Sequence, residues 1–588
     1  MLGAGDTAKS FLGVEASLSG RKWVGPTADI DRHASAMAQQ TGLPGVLCNV
    51  LVRQGVTPET AESYLAPQLR DLLPDPRSLR DMEKAAQRFL QAIKNRERIA
   101  VFGDYDVDGG ASSALLLDYL RSIGLRATLY IPDRIDEGYG PNAPAMANLA
   151  ADHDLIICVD CGTLSHEALA AATAADVIVL DHHLGGETLP PALAVVNPNR
   201  QDESGDLAHL CAAAVVFLML VEANRQARAE GGATPDLLAM LDLVALATVA
   251  DVAPLIGVNR ALVRQGLTVM GKRARAGLVA LSDVAKLDTA PSSYHLGFVM
   301  GPRVNAGGRI GQADLGARLL ATDNPHDAAA MAERLDVLNT ERREIEAAVR
   351  AAAIEQVESR DTSAPLIWAA GDNWHPGVVG IVASRLKETY NRPAIVIGFD
   401  GDDGKGSGRS VSGVDLGASI QKLASEGLLS KGGGHKMAAG LSLTRDMLAP
   451  AMERLSDLLE KQGAGTAGPA DLKLDGMLMP AAATTELIEQ LENAGPFGAG
   501  ARAPRFAFPD VAIGFAKRVG ETHLKINFGD GMGQRIDAIC FGAMETDLGK
   551  TLLEHGGKRF HLAGRLELNT WGGRRSVQLR LEDAALAQ

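Results

Sequence analysis

The stretch GDYDVDGG (103–110) sets Asp104, Asp106 and Asp108 at alternate positions directly after the apolar run RIAVF. Carboxylates this close repel one another, and an apolar strand running into them limits their hydration. Three further stretches repeat the theme: IICVDCG closes on Asp160, VIVLDHH on Asp181, His182 and His183, and the apolar stretch LDLVALATVADVAPL carries Asp251 near its end. Such groups at a low-dielectric rim need positive charge to stay ionised, and divalent cations supply it. A mixed Asp/His set suits Mn²⁺ or Mg²⁺. Two such ions, roughly 3.5–4 Å apart, clamp the attacking and leaving oxygens of a phosphoryl displacement and lower the pKa of a water between them. A single strand-end aspartate is ordinarily a helix cap, but capping does not account for four element ends that all close on ligand-type residues. Adjacent strand residues point opposite ways, so one of His182 and His183 is expected to ligate metal and the other to face substrate or a second carboxylate.

For these residues to meet, the chain must gather strand ends. The runs RIAVFG, RATLYIP, DLIICVD, ADVIVLD and LAVVNP alternate with alanine-rich helical stretches. That pattern predicts a parallel sheet with helices on both faces, whose carboxyl ends share one rim. The expected class is α/β. A helical lead-in over 1–90 packs on the catalytic domain at 91–324, and a connector helix covers 325–361, a charged stretch without glycine or proline after Pro325. A second α/β domain follows at 362–462, and five short strands at 470–588 suggest an OB-fold barrel.

The bulk numbers agree with an ordinary globular protein: 588 residues, 46% hydrophobic and 22% charged, with a net charge of −14. The acidic balance argues against indiscriminate adhesion to nucleic acid but permits a local basic channel. No apolar run reaches the roughly 18 residues of a membrane span, and the first 25 residues make a poor signal peptide. A cytoplasmic protein with no membrane partner is expected. Five scattered cysteines make no disulfide framework, and Cys158-x-x-Cys161 reads as apolar packing at a strand end.

The ordered series GDYDVDG (103–109), VDCG (159–162), LDHH (180–183), VNPN (196–199), ATVADVAPL (247–255), GPRVNAGGRIG (301–311), WHPGVVGIVASRL (374–386), GKGSGRSVSGVDLG (404–417) and GGGHKMAAG (432–440) resembles the DHH phosphoesterases, named for the triplet at 181–183. The resemblance implies a DHH catalytic domain, a DHH-associated nucleic-acid-binding domain and a barrel tail. It implies Asp106, Asp108, Asp160, His182 and Asp251 as metal ligands, with His183 in or just behind that shell and Asp104 in support. Two stretches depart from the family pattern, LCAAAVVF (210–217) and PFGAGARAPRF (496–506), and neither carries an implied ligand.

Substrate-binding candidates follow. GKGSGRS offers backbone amides with Ser407, Arg409 and Ser410, and GGGHKMAAG offers Gly433 and Gly434 beside His435, both read as phosphate-approaching loops. Asn305 lies with Arg303 in a glycine-flanked turn, and the resemblance assigns Arg134, Arg303 and Ser407 to a terminal 5′-phosphate, which a guanidinium fork suits. Aromatics are only 4% of the chain, so Tyr139, Trp374, Phe497 and Trp571, the last near Arg574 and Arg575, are the stacking candidates. The implied activity is two-metal 5′→3′ exonucleolysis of single-stranded DNA to mononucleotides in repair and recombination. The implied partners are a helicase and a single-strand-binding protein, and the chain shows no seam that demands an oligomer, so a monomer is expected. The alternatives are a phosphoesterase of short oligonucleotides or cyclic dinucleotides, which the extra C-terminal barrel disfavours, and an inactive DNA-binding scaffold, which would have broken ligand motifs.

Overall fold

The computed structural model describes residues 10–133, 137–138, 140–232, 234–465, 470–569 and 575–587. The chain forms two compact units, one of residues 67–344 with 496–502, the other of the remaining segments. In the first unit five strands, β1 (Ile99–Gly103), β2 (Thr128–Tyr130), β3 (Leu155–Val159), β4 (Asp176–Leu180) and β5 (Ala194–Val196), pair in parallel in the order β2-β1-β3-β4-β5. Alternate residues serve opposite faces: Ile99, Val101, Ile157 and Val159 join one core cluster, while Ala100, Phe102, Ile156 and Cys158 join another. Both faces are buried, so these strands read as continuous apolar runs rather than alternating ones. The chain reverses its winding between β1 and β3, the position where such sheets open a crevice at their carboxyl ends.

Helices α1 (Val107–Ser122), α2 (Ala212–Ala229) and α3 (Leu241–Ala250) cover one face of this sheet. A helical run over 293–310 ends in α4 (Gly301–Ile310), and α5 (Pro325–Glu358) spans 34 residues, close to the expected connector. Gly109 explains why α1 begins with a glycine pair. A Cβ there would lie 2.5 Å from the Asp104 carbonyl oxygen and 2.6 Å from its nitrogen, so only glycine lets the helix start against the aspartate loop.

In the second unit, β6 (Ile367–Asp372), β7 (Ala394–Asp400), β8 (Asp403–Arg409), β9 (Lys431–His435) and β10 (Ala438–Thr444) form a mixed sheet in the order β9-β10-β8-β7-β6. Helix α6 (Pro376–Tyr390) covers one face and α7 (Leu416–Ser425) the other. Here two expectations change. GKGSGR and KGGGH were read as loops and are strands β8 and β9. The β8 glycines are packing residues: a Cβ at Gly404, Gly406 or Gly408 would meet Phe399, Ile397 and Ile395 respectively within 2.8 Å.

Strands β11 (Phe506–Val519), β12 (His523–Gly529), β13 (Arg535–Cys540), β14 (Arg559–Asn569) and β15 (Ser576–Leu586) run β11-β12-β13-β15-β14, and β14 pairs back onto β11 to close a five-stranded barrel of the OB type. The lead-in expected as one piece over 1–90 divides at residue 66. Its first part belongs with the barrel: the short strand Trp23–Val24 pairs with Leu472–Lys473, and buried Trp23 Nε1 donates to buried Asp583 Oδ2 at 2.9 Å. Its second part supplies the helix Met82–Asn95, whose Met82 and Phe89 enter the catalytic core. Residues 496–502, expected in the barrel domain, lie in the catalytic unit, where Leu255 N donates to Ala499 O at 2.7 Å. Among the described residues no helix is long and apolar enough to cross a membrane, and all five cysteines are free and buried.

Gly109→Ala is expected to lower stability by about 1–3 kcal/mol through overpacking, although alanine is the better helix former. Gly271→Ala, with nothing within 4 Å of the new methyl, is expected to be neutral or stabilising by up to about 1 kcal/mol. Denaturant midpoints of the two variants check the contrast.

Candidate metal centre

Strand β1 stops at Gly103, and the three aspartates that follow it occupy a short turn and the start of α1. Asp106 is the helix cap, its Oδ1 accepting from the amides of Asp108 (2.9 Å) and Gly109 (3.2 Å). Asp108, in the first turn, is buried, and its two oxygens accept from Ala212 N (2.7 Å) and Ala213 N (2.8 Å) at the start of α2. A helix N-terminus favours a carboxylate there. The contact uses backbone amides, which is why the departure of LCAAAVVF from the family pattern leaves the site intact. Nothing in residue types marks this support, and sequence reading missed it.

Asp160 follows β3 with φ +60°, a left-handed backbone that a non-glycine residue adopts at a cost, and its side chain is buried. Residues 181–183 form a loop just beyond β4. Buried Asp181 accepts at Oδ1 from the amides of His182 (2.7 Å) and His183 (3.2 Å) and from His183 Nδ1 (2.8 Å), and at Oδ2 from Thr163 N (3.1 Å). The VNPN motif clamps the same loop: Asn197 Nδ2 donates to His183 O (2.8 Å) and Asn199 Nδ2 to His182 O (2.6 Å). His183 is thereby tied to Asp181, while His182 Nε2 points the other way. It lies 3.2 Å from Asp160 Oδ1, 3.6 Å from Asp108 Oδ2 and 3.9 Å from Asp251 Oδ2, with Asp251 capping the end of α3.

Electrostatics follow from this crowding. Burial pushes the Asp160 carboxyl well above its ordinary range, and the neighbouring charges of Asp108, Asp106, Asp104 and Asp181 push it further. Burial likewise raises Asp108, against the pull of His182. Burial and the charges of Asp108 and Asp106 push Asp251 up to about 8. Burial opposes a charge on His183, yet its bond to Asp181 takes it to about 9; burial also opposes ionisation of Asp181, yet His183 and Thr163 hold it well below the carboxylate range. The donor set fits divalent cations. Ligand atoms lie within 4.8 Å of one another in three groups: Asp108, His182 and Asp251; Asp160, His182 and His183; and Asp104, Asp106 and Asp160. Asp104, given only a supporting role from the sequence, stands inside the third group.

The other candidates scatter. Asn305 Oδ1 accepts from Val107 N at 3.0 Å, which braces α1 rather than facing out. Arg303 donates to Asp336 (2.8 Å) and Val299 O (2.7 Å). In the second unit Ser407 pairs with Gly440, which pairs in turn with Gly433, and Arg409 pairs with Ala438, which pairs with His435, so Ser407, Arg409, Gly433 and His435 share one sheet face, while Gly434 alternates away. A Cβ at Gly433 or Gly440 would meet nothing within 4 Å, which leaves the β9–β10 part of that face open, whereas Ser407 and Arg409 lie against α6, where a Cβ at Gly380 would sit 3.1 Å from each. Arg409 Nη1 donates to Ser407 Oγ (2.9 Å), and Ser410 is buried on Val414 O. Trp374 packs on Gly371, Phe497 is half-buried, and Arg575 pairs with Glu489. Arg134, Tyr139, Trp571 and Arg574 lie outside the described residues.

Residues 98–248 match the DHH family, N-terminal domain, residues 363–462 the DHHA1 domain and residues 474–583 the RecJ OB domain. The single-stranded-DNA-specific exonuclease RecJ of Dickeya dadantii is 38% identical over 92% of this chain and 96% of its own length. The protein of the same name from Escherichia coli is 36% identical over 94% and 98%. Among solved structures, RecJ of Thermus thermophilus in complex with Mn²⁺ is similar with a TM-score of 0.78 and 28% identity, covering 96% of this chain and 79% of that one; the same protein with Mg²⁺ gives 0.72 and 26%, covering 96% and 78%. With this identity over nearly the whole of both chains, a parallel-sheet DHH unit and an OB barrel in the same order, the chain belongs to the RecJ family.

Proposed function

We propose that this protein is a divalent-metal-dependent exonuclease that removes mononucleotides from the 5′ end of single-stranded DNA, in DNA repair and recombination. The observation that carries the reading is the approach of Asp108, Asp160 and Asp251 oxygens, from three separate chain segments, to one imidazole nitrogen of His182.

Asp106, Asp108, Asp160, His182 and Asp251 would hold two ions of Mn²⁺ or Mg²⁺, with Asp104 beside them. When bound, such cations supply Lewis acidity that lowers the pKa of water and balances charge on the phosphodiester. The protein's own work is positional. The α2 amides fix both oxygens of Asp108, Asp106 is fixed by capping α1, and Asn197 and Asn199 hold the 181–183 loop in place. His183, bonded through Nδ1 to Asp181, sits at the rim, where its ring suits a phosphate oxygen. The family resemblance assigns Arg134, Arg303 and Ser407 to the 5′-terminal phosphate, a grip that would direct attack to a strand end. Asn305 has its carbonyl committed to Val107 and positions the metal loop. The open strip at Gly433 and Gly440, flanked by His435 and by Ser407 and Arg409 at the edge of α6, suits strand phosphates, because glycine lets a backbone approach closely.

The reading includes a monomeric chain in the cytoplasm. A nuclease of single strands needs them exposed and kept open, which fits work beside a helicase and a single-strand-binding protein.

With Mn²⁺ or Mg²⁺, stepwise mononucleotide release is expected from 5′-phosphorylated single-stranded DNA, not from the duplex or a short RNA; intact single strands would contradict the reading. Asp160→Ala is expected to abolish turnover and leave strand binding largely intact, as a gel-shift assay checks. Asp181→Asn is expected to weaken Mn²⁺ binding or activity by about 10–100-fold, since it loosens the loop that orients His182; titration calorimetry and kcat report it.

A further inference from the structure

Phe298 is 72% exposed and Tyr294 51%, and their rings stack with centroids 5.2 Å apart at 24°. Exposed aromatics are costly, and a contiguous exposed apolar patch marks an interaction surface. Phe298 lies in a π-helical turn, Leu296–Met300, and Tyr294 just before it, within the helical run over 293–310; π-turns are rare and concentrate at functional sites. The run is seated on the metal centre. A Cβ at Gly297 would touch Val249 at 3.4 Å, and one at Gly301 would lie 3.2 Å from Ala250, the residues directly before Asp251. Further along, Asn305 bonds Val107 N, between Asp106 and Asp108, and a Cβ at Gly308 would press on Tyr105 at 2.8 Å. Val252, the residue after Asp251, is 69% exposed and holds φ +60°, an unfavourable backbone for a β-branched residue. The helix end that carries Asp251 thus packs on the run that bears the aromatic pair and exposes an apolar side chain of its own.

We infer that Phe298, backed by Tyr294, is a stacking platform for a base of the substrate strand next to the phosphodiester in the metal centre. The inference rests on the exonuclease reading above. Bases are the fitting occupant: a single strand whose phosphate lies at the ions has unpaired bases beside it, every base offers a π-face, and an aromatic platform accepts any sequence. Phe298 touches the base and not the reacting atoms, so it positions the strand.

The test uses the full chain with Mn²⁺ and a 5′-phosphorylated single-stranded oligonucleotide, comparing wild type with Phe298→Ala and Phe298→Leu. Both variants are expected to raise KM about tenfold, the loss of one stacked base, with kcat nearly unchanged and the thermal melt unmoved, since the side chain is solvent-exposed. Leucine keeps apolar bulk without a π-face and so is expected to fail like alanine. A single abasic nucleotide scanned along the first few positions is expected to raise the wild-type KM comparably at one position and to leave Phe298→Ala unaffected there. Unchanged KM in both variants, or a wild type indifferent to every abasic position, overturns the inference and leaves the patch to a protein partner. A wild type that degrades no single strand is a different result, which removes the exonuclease reading and this inference together.

Discussion

Like charges forced together out of water are the constraint around which the catalytic unit is arranged. Asp108 and Asp160 are buried, Asp251 is mostly so, and all three bring oxygens to within 4 Å of one nitrogen of His182. Such a cluster is unfavourable unless positive charge sits in it. The surrounding features serve to hold that arrangement. The sheet order brings the ends of β1, β3 and β4 to one rim, Gly109 lets α1 start against the aspartate turn, and the amides of Ala212 and Ala213 clamp Asp108. Asp160 keeps a left-handed backbone at the centre of this rim.

Much of this was readable in the residues. Five apolar runs gave five parallel strands because both sheet faces are buried, which writes the strand as an unbroken hydrophobic stretch. The rule that carboxyl ends of parallel strands share a rim brings the 104–108, 160 and 181–183 segments together, while Asp251, at a helix end, joined that set through the family resemblance. The opposed roles of the two histidines were also legible, although they sit in a loop rather than on a strand: one ring turns to Asp181, the other to the carboxylate cluster.

What the residues did not show depended on backbone or on distance. Amide donors carry no side-chain signature, so the hold of α2 on Asp108 was invisible. Glycine-rich GKGSGR and KGGGH carry the composition of loops, yet the glycines of β8 make room for Phe399, Ile397 and Ile395 inside a sheet. The lead-in was expected on the catalytic domain, but Trp23 finds its hydrogen-bond partner in Asp583, 560 residues away, and no local pattern encodes such a pairing. Tyr294 and Phe298 were passed over among the aromatics because exposure of a ring on a helix is settled only by what packs around it.

The central claim, that the carboxylates and His182 gather around divalent cations, is tested most directly by anomalous diffraction at the manganese edge from crystals grown with Mn²⁺. The expected result is two anomalous peaks within coordinating reach of Asp106, Asp108, Asp160, His182 and Asp251. Crystals that diffract with this fold but show no peak there, or peaks only elsewhere, would contradict the claim.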